Sequence, residues 1–103
     1  MKTMKAAQKT KPSPLYYQKQ IDQYTRRRDW FFALAEAIEV IEPNAPEAAR
    51  LRYRIDVDFQ PRIMSAMRQY TVAWWMVDTA GPDARNVAYI ELEQYFRRRD
   101  QRD

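Results

Sequence analysis

Apolar positions along this chain recur at spacings of three and four. The densest run is Trp30-Phe31-Phe32-Ala33-Leu34-Ala35-Glu36-Ala37-Ile38-Glu39-Val40-Ile41. Alanine, leucine and glutamate favour helix, and the spacing is helical. Phe31, Ala35 and Ile38 form one line, which runs back through Arg28 to Tyr24, Ile21 and Tyr17. Trp30, Leu34, Ala37 and Ile41 form a second line beside it. Together the two lines cover more of the circumference than the stripe of a surface helix does. The pattern predicts a first helix over residues 15–42, its second half nearly surrounded by the fold and its first half wetter. Ser13-Pro14 supplies an N-cap and a first-turn proline, and Pro43 stops the helix.

Asn44, with Glu47 three residues on, resembles a capping box and points to a second helix. Yet Leu51, Tyr53, Ile55, Val57 and Phe59 alternate with polar residues, which is the strand template. Read as helix, Ala48, Leu51, Ile55 and Phe59 share one face, and Tyr53 and Val57 lie opposite. A strand would need a partner, and residues 87–93 are the only other candidate. The cap signal and the helical neighbours favour helix.

Pro61 begins a third helix or kinks a longer one. Ile63, Met67, Tyr70, Trp74 and Val77 make a 4-3-4-3 stripe, with Ala66 and Ala73 beside it. Gly81-Pro82 ends it, with the glycine as C-terminal cap. Asp83 caps a fourth helix whose apolar face is Ala88, Tyr89, Leu92, Tyr95 and Phe96. The expected fold is therefore all-α: a small bundle of three to four helices over residues 14–103, with residues 1–13 as a disordered basic tail. The alternative is an α+β fold with residues 51–59 and 87–93 as strands.

Charge changes the picture at the N-terminus. The chain of 103 residues has 18 Lys and Arg against 14 Asp and Glu, a net +4. Lys2, Lys5, Lys9 and Lys11 carry that excess, and the rest of the chain balances. A basic surface on the folded body must therefore be local. No cysteine is present, which fits the cytoplasm. No apolar run approaches the ~20 residues of a membrane span, and no signal-peptide pattern is visible.

The chemistry on offer is sparse. Without His or Cys, the commonest general base and the best thiol nucleophile are missing. No glycine-rich loop cradles phosphate. Glu36, Glu39 and Glu42 are the nearest approach to a carboxylate metal site, and they read as a solvated or salt-bridged helix edge. No catalytic residue, metal or cofactor is expected.

Two surfaces remain. Val72, Trp75 and Met76 lie opposite the main stripe of the third helix, with Arg68 just before them on the same face. Trp, Arg and Met are concentrated at protein interfaces. Either this helix is central and buried on both sides, or these side chains meet a protein partner. Tyr53 and Val57 on the second helix offer an alternative surface. The other candidate is Arg26, Arg27 and Arg28 with the lysine tail, a combination suited to phosphate backbones. The neutral body and the flanking Asp22 and Asp29 rank it second. Fourteen aromatics are more than four short helices can bury, and Tyr16, Tyr17, Tyr89 and Tyr95 are expected to be half-exposed. The expected function is binding to another protein, as a non-enzymatic adaptor, regulator or inhibitor and as a homodimer. Nucleic-acid binding without strong sequence specificity is the alternative.

Overall fold

A computed structural model of the chain describes residues 13–102, and these are helical apart from the turn at 42–45 and residues 13 and 81. The expected disordered tail falls on residues outside the described ones, apart from Ser13. The helices are α1 (Pro14–Ile41), α2 (Pro46–Arg54), α3 (Gln60–Ala80) and α4 (Pro82–Arg102). A π-helical turn, Ile55–Phe59, joins α2 to α3 without a break. The fold is all-α, with no strand among the described residues.

The strand alternative is thereby corrected at both places. Residues 87–93 lie within α4, and residues 51–59 are the end of α2 and the π turn. The alternation arises because two i,i+4 lines run along one helix. Ile55 and Phe59 are buried, whereas Tyr53 and Val57 are exposed. Pro61 explains the wide turn. It has no N–H to donate, and its ring would meet the carbonyl four residues back, that of Val57. The helix widens ahead of it, and the Gln60 N–H donates to the Ile55 carbonyl, five residues back.

Local signals act as their chemistry requires. The Tyr16 N–H donates to Ser13 Oγ at 3.3 Å, so Ser13 caps α1. Gly81 adopts φ +116°, a left-handed conformation that glycine reaches at little cost. The N-cap of α2 is Ala45 rather than Asn44, and no side chain caps it. Asn44 instead lies in the turn closed by the Ala45 N–H donating to the Glu42 carbonyl at 3.1 Å. Pro46 at the first helical position lacks the N–H that a cap would have had to satisfy.

The chain divides into two compact units. One is Gln20–Met67; the other comprises the described residues 13–19 and 68–102. In the first unit α1 packs on the helical path from α2 into α3. Its buried cluster is Ala35, Ala45 and Ala48, with Ile38 and Leu51 packed against it. Ile55, Phe59, Ile63 and Ala66 are buried as well. In the second unit the buried residues are Pro14, Ala73, Ala88 and Leu92.

The expectation that the second half of α1 is nearly surrounded is corrected. Only the line of Phe31, Ala35 and Ile38 is covered; Trp30, Leu34, Ala37 and Ile41 are exposed. The reason is geometric. A unit of two helical rods covers one stripe on each rod, and α1 carries two.

Candidate protein-interaction surfaces

Charges fix the geometry of the unit Gln20–Met67. Arg52 on α2 grips Glu39 on α1 with two bonds, Nε to Oε2 at 3.0 Å and Nη2 to Oε1 at 2.7 Å. This paired fork is the strong form of an arginine–carboxylate contact. The Arg52 bonds hold the Glu39 carboxyl below its ordinary range, and Glu39 in turn raises the guanidinium. Asp58 in the π turn accepts from Arg62 at 2.6 Å and from Arg54 at 3.0 Å. Those two bonds, Arg62 first, hold Asp58 low. Arg54 also stands over the rings of Phe31 and Phe59, which meet edge to face at 4.9 Å. The ion pairs and stacked rings set α1 against the turn on the side of its covered stripe.

The other side of that contact is open. Phe31, Leu34 and Ile38 of α1 face Leu51, Tyr53 and Val57 across a groove of about 610 Å³, edged by Glu47, Arg50 and Arg54. Trp30 and Ile41 extend the apolar lining along α1, with 63% and 86% of their surface exposed. Sequence reasoning missed this groove, although it singled out Tyr53 and Val57, which line it. The signal was present in the second line of α1. Nothing in the pattern said which line the fold would cover.

In the second unit, α3 carries the expected interface residues. Val72, Trp75 and Met76 are all exposed, Trp75 at 66%, and Arg68 is exposed before them. They share one face of α3 by their i, i+3, i+4 spacing. The opposite face holds the packing: Ala73 is buried, and the Trp74 ring lies 5.0 Å from that of Tyr89 on α4. Tyr70 meets Trp74 edge to face at 6.4 Å. The Arg85 Nε donates to Asp78 at 3.0 Å across the Gly81 turn. Of the tyrosines expected to be half-wet, Tyr16 and Tyr89 are about half exposed, and Tyr17 and Tyr95 are partly covered. The Tyr17 hydroxyl donates to Gln69 Oε1 at 3.1 Å.

The arginine cluster of α1 is not a single surface. Arg26 and Arg27 are exposed, but Arg28 is half-buried and donates to Gln60 Oε1 at 3.0 Å and to Asp29 at 3.2 Å. Lys2, Lys5, Lys9 and Lys11 lie outside the described residues. Among the described residues no acidic or metal-ligating cluster could hold a metal ion, and no helix is long and apolar enough to cross a membrane. Compared with known proteins, the chain matches no family model, no curated protein and no solved structure.

Proposed function

We propose that this chain is a non-enzymatic helical protein that works in the cytoplasm by binding another protein, as an adaptor, regulator or inhibitor. The observation that carries the reading is the face of Val72, Trp75 and Met76. Three large apolar side chains stand together in the open on a helix whose opposite face is already packed. A small protein that leaves such a patch in water normally has a partner for it. Trp75 is the anchor, since tryptophan dominates interface energetics, and Arg68 supplies a charged edge.

The test is Trp75→Ala in the full chain, immobilised beside the wild type and exposed to lysate of the native host. Trp75 is an exposed side chain, so stability should change by no more than ~0.5 kcal/mol and the helical circular dichroism should persist. A protein captured by the wild type should be lost from the variant, with affinity falling roughly 30-fold or more, the effect of removing a hot spot. Equal capture by both would remove the face from consideration.

The nucleic-acid reading has less support, because Arg28 is engaged within its own unit. It requires steep salt dependence of binding to duplex or single strands.

A further inference from the structure

We propose that the groove between α1 and α2 is filled by α1 of a second copy of this chain, giving an isologous dimer through the unit Gln20–Met67. This surface is separate from the Trp75 face, and the inference does not rest on that reading.

Three observations choose this occupant. The first is shape. Trp30, Leu34, Ala37 and Ile41 are exposed on α1 at spacings of four, three and four, the repeat with which one helix seats on another. The groove beside them is open to receive such a ridge. Ridge and groove lie on one surface of the same unit, and a twofold interface requires that kind of self-complementary patch.

The second is charge. From Asp29 to Glu42, α1 carries four acids and no cation. From Pro46 to Arg54, α2 carries three arginines against one glutamate. The free edge of the groove, with Arg50 and Arg54, is thus basic, and the helix proposed to enter it is acidic. In a twofold arrangement that attraction operates twice.

The third is area. Trp30, Leu34, Ile41, Tyr53 and Val57 are between 36% and 86% exposed. With an aromatic side chain able to bury ~150–250 Å², the five together offer roughly 500 Å² of apolar surface. A standard interface covers about 800 Å² on each partner, about 65% of it apolar in homodimers. The patch therefore matches what a stable dimer needs.

Sedimentation equilibrium of the full chain tests this directly. The wild type should weigh twice its 12.5 kDa chain mass. Ile41→Glu and Leu34→Glu, both at exposed positions, should give helical monomers, whereas Trp75→Glu should remain a dimer. Arg50→Glu alters only the basic edge and should weaken association by roughly 3- to 10-fold without loss of helicity. It also decides the matter should an apolar-to-acid variant lose its fold. A wild-type monomer at all accessible concentrations would overturn the proposal. So would a dimer indifferent to Ile41→Glu and Arg50→Glu, or one abolished by Trp75→Glu.

Discussion

The two units of this chain bury the same kind of residue and differ in what holds their helices together. Each packs on alanine: Ala35, Ala45 and Ala48 in residues 20–67, Ala73 and Ala88 in the other unit. Small side chains let helix backbones come close, and the larger apolar residues then stand at the margins. In residues 20–67 the margin on one side is locked by charge, through the Arg52–Glu39 fork and the Arg54–Asp58–Arg62 ladder. In the other unit it is locked by rings, Tyr70 on Trp74 and Trp74 on Tyr89. The contrast teaches that a short helical chain can choose its surfaces through its small residues. Wherever alanine draws two helices together, the bulky residues one position away face outward.

The comparison can be broken most forcefully in the cores. Ile55 is 1% exposed and is one of the largest fully buried side chains; Leu92 is 6% exposed in the other unit. Truncating either to alanine should cost ~2–4 kcal/mol of unfolding free energy, with Ile55→Ala the more severe. Urea denaturation followed by circular dichroism measures both. A negligible loss at Ile55 would mean that alanine contacts alone sustain residues 20–67.

A smaller effect is expected at the turn into α4. A Cβ at Gly81 would meet no atom within 4 Å, so only its φ of +116° opposes a side chain. Gly81→Ala should therefore cost ~1–2 kcal/mol, all of it backbone strain. The same denaturation experiment reads it.

The mildest probe is acid, and it sharpens the difference between charge and ring. Asp58 and Glu39 have their pKa values depressed in the folded chain by their arginine partners. Groups of that sign contribute stability that is complete above the ordinary carboxylate range and is lost as pH falls through the folded values. The thermal midpoint should hold steady from neutral pH down to that range and then decline. Asp58→Asn should flatten part of the decline. An unchanged slope in that variant would show that the Asp58 ladder contributes nothing to acid sensitivity.

Much of the fold was readable because its punctuation is strong. Ser13-Pro14, Pro43 and Gly81-Pro82 each fix a helix end by a backbone property that tertiary context does not override. The exposed face of Val72, Trp75 and Met76 was legible for a similar reason, since 4-3-4-3 spacing assigned the other face of α3 to packing. Two features were not legible. Residues 51–59 read ambiguously because lines of opposite exposure, both at i,i+4, imitate strand alternation. The open side of α1 escaped because hydrophobic pattern states what could be buried, whereas the number of helices in a unit decides what is. Two adjacent apolar lines look like the surface of a central helix until the partners are counted.

The π turn has a consequence for the history of the chain. A wide turn holds one residue more than the α-helical path it replaces, so it is equivalent to a single-residue insertion that the helix absorbed without breaking. Removing one residue between Ile55 and Phe59 would restore regular winding but turn everything after it by roughly 100° about the axis. Ile63 and Ala66, now buried, would leave the core together. With Pro61 standing directly behind the turn, the insertion is latched in place: a chain that lost the extra residue would have to lose the proline as well.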